Sequence, residues 1–267
     1  MRIAVIGSTG FIGSAISKIL QTDKQNIVVG FSRKNIDIQN IYNTKSVLND
    51  CEKFDILIYS AISKGNDFVN KNLQQLENVL KCKDCFQKLV HISSRSVYDG
   101  LGYYSDVDCL PLSELPLSNN IYGKLKYLEE KIITDYLSED EFLICRLFNI
   151  YNLLDNNAFY NYLQRIINKN EVFHEIVLNM MSLNDCAQNV KTIINKGLCG
   201  TLNLCSAHKV SFKDFVKRYS EECLLNNFNN GYTEYTGKSN IKLITEKDDF
   251  MLEMNKLFCA NPTLFRR

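Results

Sequence analysis

Three glycines set between an apolar run and a helical repeat constrain this chain more than any other feature. Arg2-Ile3-Ala4-Val5-Ile6 is short and apolar, the pattern of a strand buried on both faces. Gly7, Gly10 and Gly13 follow at three-residue spacing, and Ile16, Ile19 and Leu20 then recur at helical spacing. The segment reads strand, glycine turn, helix. Such a turn lets backbone approach a pyrophosphate, which rests on the unpaired N–H groups and positive dipole end of the helix. Gly7, Thr9, Gly10, Phe11, Ile12 and Gly13 are therefore the expected contacts to a dinucleotide. The spacing is GxxGxxG rather than the commoner GxGxxG, and its place between strand and helix supplies the context the motif requires.

A chain of 267 residues can bury a core large enough for one main domain with a small lobe. With 31 Lys and Arg against 30 acidic residues, no long-range field marks a nucleic-acid binder. No run of about 18 apolar residues exists, so no membrane span is expected. A strand entered at residue 2 leaves no room for a signal peptide, and ten irregularly spaced cysteines suit a reducing compartment. A cytoplasmic location is the expectation. Cys82 and Cys85 form a CxxC with no second pair or His cluster nearby, short of the about four ligands zinc takes. They read as helix-end thiols, and no metal is expected.

Strand-like runs alternate with helical patterns through the first 150 residues, as in βαβ units. The strands are expected at 27–31, 55–61, 89–94 and 142–148, with helices at 66–82 and 122–136. A helix over 182–196, capped by Ser182 or Asn184, and a returning strand over 201–205 follow. A helix near 159–167 and an amphipathic segment over 211–225 fall in Asn-rich sequence of a different texture. The expected fold is α/β, a Rossmann-type doubly wound parallel sheet with a small C-terminal substrate lobe. Residues 1–150, rejoined by 183–207, would form the dinucleotide domain, and 151–182 with 208–267 the lobe. His91 reads as a packed imidazole within a strand, while His174 and His208 stand isolated. Tyr98, Tyr103 and Tyr104 are candidates to line a substrate cleft or to serve as ordinary surface cover.

The tip of the second strand meets the adenosine ribose in such folds, where an acid accepts from a 2′-OH and an Arg accommodates a 2′-phosphate. Here the tip is Phe31-Ser32-Arg33-Lys34, with no carboxylate. A guanidinium binds phosphate through two N–H donors. Ser32 and Arg33 therefore favour NADP(H), with NAD(H) as the second choice. Solvated loop charge is the competing reading of Arg33 and Lys34.

Tyr122-Gly123-Lys124-Leu125-Lys126 is YxxxK at the start of a helical pattern, and residues four apart share a helix face. A free tyrosine titrates at about pH 10, and a neighbouring ammonium favours its phenolate. Tyr122 and Lys126 can thus work as one proton-transfer pair. Upstream, Ser93-Ser94-Arg95-Ser96-Val97-Tyr98 follows a strand.

Together, GxxGxxG, SSxxVY and YxxxK resemble the extended, nucleotide-sugar-modifying branch of the short-chain dehydrogenase/reductase superfamily, the NAD-dependent epimerase/dehydratase-like proteins. The likeness runs over roughly residues 1–205. It implies that Ser94 bonds the reacting carbonyl oxygen, Tyr122 exchanges its proton and Lys126 holds ribose hydroxyls. It further places Asp37 at the adenine, Ser60 and Ala61 beside the pyrophosphate with Asn72 beneath, and Ile92 among the cofactor contacts. Arg146-Leu147-Phe148-Asn149-Ile150-Tyr151 looks like the family's RxxNxYG, which puts Asn149 near the nicotinamide. The chain departs from the pattern at Asn152-Leu153, where relatives carry Gly-Pro. It departs again at Asn179-Met180-Met181, where they carry Arg-Asp-Phe and an Arg that anchors the substrate diphosphate.

Family dehydratases resemble one another in a Thr-Asp-Glu run where this chain has Ser94-Arg95-Ser96, which disfavours elimination. The expected function is NADPH-dependent reduction of a keto-sugar, nucleotide-linked and oxidised at C4, for surface polysaccharide precursors. A nucleotide-sugar epimerase with tightly held cofactor, and a non-catalytic NADP sensor, are the competing functions. Relatives suggest a homodimer through the helices preceding and containing Tyr122.

Overall fold

The computed structural model describes residues 1–101, 109–151, 177–179, 181–205 and 209–211. The expected helix near 159–167, the amphipathic segment beyond Ser211, Tyr103, Tyr104, His174 and His208 lie outside them, as does most of the expected lobe. Six parallel strands form one sheet in the order β2-β1-β3-β4-β5-β9. They are β1 (Arg2–Ile6), β2 (Ile27–Phe31), β3 (Phe54–Tyr59), β4 (Phe86–Ser94), β5 (Phe142–Leu147) and β9 (Gly200–Leu204). Short β6 (Ile150–Tyr151) pairs parallel with β8 (Met181–Ser182), and β7 (Val177–Asn179) pairs antiparallel with β10 (Lys209–Ser211).

Alternation along β1 divides the core. Ala4 and Ile6 face one layer, packed with Leu48 of α2 (Ile41–Asn49), Leu76 and Val79 of α3 (Phe68–Leu80) and Ile133 of α4 (Ile121–Tyr136). Ile3 and Val5 face the other, with Ile16 and Leu20 of α1 (Phe11–Gln21) and Val190 and Ile193 of α5 (Leu183–Asn195). A strand apolar on both sides is what a parallel sheet covered on both faces demands. Helices start where side chains accept from free N–H groups: Asn40 from Tyr42 and Asn43, Asn120 from Tyr122, and Ser182 from Asp185. Of the two caps expected for α5, Ser182 is the one used.

The chain passes from β1 to β2 on one side and then crosses to β3 on the other. At such a switch point a crevice opens beyond the carboxyl ends of the strands, here between Gly7 and Ser60. β9 extends β5 at the far edge, with Arg146 opposite Asn203. Among the described residues, no helix is long and apolar enough to cross a membrane.

Candidate active site

The turn after β1 is built by contacts that a side chain would block. Gly7 adopts φ +88° and donates its N–H to Phe31 O at 2.9 Å. A Cβ on Gly13 would stand 2.3 Å from Gly7 O and 2.5 Å from Ser60 Oγ. Ser60 Oγ in turn donates to Ile6 O at 3.0 Å. These approaches seat the first turn of α1 against β1 and β3. Gly10 at the N-cap brings no side chain over the helix's free N–H groups.

A cleft of about 360 Å³ opens above this turn, within the range of about 300–1,000 Å³ usual for small-molecule sites. Gly7, Thr9, Gly10, Phe11 and Ile12 form its floor. Ser32, Arg33 and Asp37 border the β2 end, Ser60 and Ala61 the β3 end, and Ile92, Tyr122 and Lys126 the far wall. Thirteen expected site residues thus meet in one crevice. Gly13 lies behind the turn, and neither Ser94 nor Asn149 is among the lining residues. Ser94 ends β4, where its Oγ accepts from Ser96 N at 3.2 Å. Asn149 has φ +38° and donates from Nδ2 to Asn179 O at 3.0 Å.

Asn35 shapes the β2 tip by accepting from Ser32 N at 2.7 Å and donating to Gly30 O at 3.1 Å. Arg33 is exposed on this loop. Lys64 and Lys71 border the same cleft, so four cations surround it with Arg33 and Lys126. Neither lysine belongs to a motif, although Lys64 follows Ser60 and Ala61 by only a few residues. Asn72 is fully buried, accepts from Ser63 N at 2.8 Å and donates to Ser63 O at 2.9 Å. It holds the loop between β3 and α3 from beneath.

Lys126 is buried at the foot of Tyr122, its Nζ 5.9 Å from the centre of that ring. It donates to Ile92 O at 3.1 Å and to Glu129 Oε2 at 2.8 Å. Burial alone would push this ammonium down. The Glu129 carboxylate, with Tyr122 and Glu130 adding to it, more than offsets that, and Lys126 is held above its usual value. Glu129 is itself raised by burial but brought below the ordinary carboxylate range, first by Lys126 and then by His91. His91 Nε2 lies 3.3 Å from Glu129 Oε2, and its ring stacks on Tyr59 at 5.9 Å. Burial lowers His91 by more than Glu129 lifts it, so it stays neutral at pH 7. The imidazole is packed in a strand as expected, but it also faces an acid.

Behind this layer is a second buried pair. Arg146 contacts Glu130 Oε2 through Nη2 at 2.7 Å and through Nε at 3.1 Å. Its Nη1 reaches Tyr98 Oη at 2.6 Å and Leu110 O at 2.7 Å. Tyr98 Oη donates to Asn203 Oδ1 at 2.8 Å. Tyr98, a candidate for the cleft wall, is instead an interior link between β5 and β9, with burial pushing its phenol up to about 12. Cys82 and Cys85 are buried free thiols beside the end of α3, with burial raising Cys82 to about 11.

The model of a family described as the RmlD substrate binding domain matches residues 1–227. No curated protein sequence matches the chain. Among solved structures, dTDP-4-dehydrorhamnose reductase from Bacillus anthracis, in complex with NADP, superposes with TM-score 0.70 at 20% identity, covering 97% of this chain and 98% of that one. UDP-N-acetylglucosamine 4-epimerase from Bacillus cereus superposes with TM-score 0.73 at 19% identity, covering 97% and 99%. A dTDP-4-dehydrorhamnose reductase from Clostridium acetobutylicum gives 0.68 at 22% identity, over 85% and 81%. At these identities the likeness is one of fold, and it includes both reductases and epimerases.

Proposed function

Because this chain belongs to the RmlD substrate binding domain family, within the extended short-chain dehydrogenases/reductases, we propose that it reduces a keto-sugar with NADPH, the sugar being nucleotide-linked and oxidised at C4. The observation that carries this reading is a single cleft bounded at one end by Ser32 and Arg33 and at the other by Tyr122 over Lys126. The cleft suits a dinucleotide by its own construction. The close approach of Gly13 to Gly7 leaves the N-terminus of α1 uncovered for a pyrophosphate. Arg33, without a carboxylate at the strand tip, suits a 2′-phosphate.

When bound, the cofactor supplies hydride to the carbonyl carbon. The protein's share is positional and protonic. The Tyr122 phenol gives its proton to the carbonyl oxygen. Ser94, outside the lining residues but two places beyond Ile92 of the cleft wall on β4, is the group expected to bond that oxygen. Lys126 has three N–H donors, of which two are used by Ile92 O and Glu129, leaving one for ribose hydroxyls. The structural neighbours include both NADP and NAD complexes, so the choice of NADPH rests on Ser32 and Arg33, and the lack of a carboxylate at Ser94-Arg95-Ser96 favours reduction over dehydration.

The test is incubation with NADPH or NADH and a panel of 4-keto nucleotide sugars, following loss of the reduced cofactor. Oxidation of NADPH ahead of NADH is expected. Cofactor that stays bound and unchanged while the sugar inverts would replace this reading with epimerisation, the activity named for one neighbour.

A further inference from the structure

Glu129 is a fully buried acid that the proposed chemistry does not use. Its Oε2 meets Lys126 Nζ at 2.8 Å and His91 Nε2 at 3.3 Å, while Oε1 has no hydrogen-bond partner among the described residues. A carboxylate in a dry interior is costly, and a buried Lys–Glu pair is rarely better for stability than apolar residues of the same size. Its placement suggests another role. Lys126 borders the cleft with its side chain 5% exposed, and Glu129 stands directly behind it at 0%.

We propose that Glu129 is a positioning residue, the counter-ion that keeps Lys126 an ammonium at the wall of the cleft, acting through its charge rather than its shape.

Of the groups facing Lys126, Glu129 does most to favour the charged form, with Tyr122 and Glu130 adding less. On α4, Tyr122 lies on the cleft side, and Glu130 is taken up by Arg146 of β5. From β4, His91 is neutral. From β3, Tyr59 is buried, and its phenol is pushed well up by burial and by Glu129. The buried face of α3 carries the uncharged amides Asn72, Gln75 and Asn78, its Lys71 borders the cleft, and Glu77 pairs with Lys81 at the surface. Remove the Glu129 charge and burial, the largest single influence on Lys126, is opposed only by the lesser pull of Tyr122 and Glu130, so the amine loses its proton at lower pH. The role assigned to Lys126 at the ribose rests on the function proposed above, but its protonation does not.

The experiment follows the Cε resonance of Lys126 by NMR in protein labelled on lysine, assigned by comparison with Lys126→Arg. The wild type, Glu129→Gln and Glu129→Asp are titrated without ligand. In the wild type Lys126 should remain an ammonium to the alkaline limit of the fold. The isosteric Gln should lower its midpoint by about two pH units, and Asp, shorter but charged, should restore most of the difference. A Gln titration that superimposes on the wild type overturns the proposal, as does an Asp variant displaced as far as Gln, which is the mark of a packing role. NADPH affinity, read by nicotinamide fluorescence, should fall about tenfold in Glu129→Gln across the pH range where Lys126 discharges. If the wild type binds no NADPH, the proposed function fails while the resonance still decides the role of Glu129.

Discussion

Gly13 and Gly7 are in register so close that a methyl group on the first would lie 2.3 Å from the carbonyl oxygen of the second. The obstacle is backbone, which cannot rotate aside. Gly13→Ala should therefore push α1 away from the sheet, costing about 1–3 kcal/mol as over-packed positions do. Urea unfolding checks the loss. Cofactor binding should weaken with it, because the same turn carries the helix N-terminus.

Arg33 is expected to set cofactor choice. Arg33→Ala should weaken NADPH binding by about ten- to a hundredfold, through loss of a charge-assisted contact to phosphate. NADH affinity should change little. The ratio of the two dissociation constants is the readout, and an unchanged ratio would shift the role to Lys64 or Lys71.

Tyr122→Phe tests the chemistry. The ring and its place over Lys126 remain, while the exchangeable proton is lost. Turnover should fall about 10²- to 10⁴-fold, with NADPH binding retained. A sensor without catalysis would be indifferent to this change in both measurements.

Glu130 and Arg146 form a buried pair at 2.7 Å, each with a side chain 1% exposed. Arg146→Met alone strands the carboxylate and should destabilise the fold by about 3–5 kcal/mol. Glu130→Leu combined with Arg146→Met removes both charges and should recover most of that loss. Thermal unfolding of the single and double variants separates the two outcomes.

Acid should weaken the fold through His91. Burial holds this imidazole below its usual value, so over that interval the unfolded chain binds a proton that the folded protein does not. Stability is then present above about pH 6.5 and lost as the pH falls toward the folded value. Glu129, held low by Lys126 and His91, adds a loss of the same sign at lower pH. His91→Phe keeps the stack on Tyr59 and should flatten the decline in Tm as the pH falls below about 6.5.

What could be read along the chain was local. The β1 turn, the strand at Ile27–Phe31, the Ser182 cap and the Tyr122–Lys126 spacing each depend on neighbours within a few positions. α2 was not read because only Thr44 and Leu48 of its nine residues are buried, leaving little apolar period to find. Glu129 and Glu130 sit three and four places after Lys126, on the face that helical spacing allows, yet nothing local says that this face is dry. That follows from α4 packing on β4 and on α3. The Tyr98–Asn203 bond joins residues 105 positions apart and exists only because β9 docks beside β5. Ser94 and Asn149 are legible as motif members, but whether they line the crevice depends on how β4 and β5 end, and neither is among its lining residues.

The docking of α5 on α1 has a consequence for how the molecule is made. Ile16 and Leu20 leave the ribosome early, but the residues that cover them, Val190 and Ile193, are more than 160 positions behind. At about 5–20 residues per second of synthesis, the nascent half-sheet carries a bare, greasy flank for roughly ten seconds or more. A holding chaperone on the growing polypeptide would find its handle there, and release would await the late helix.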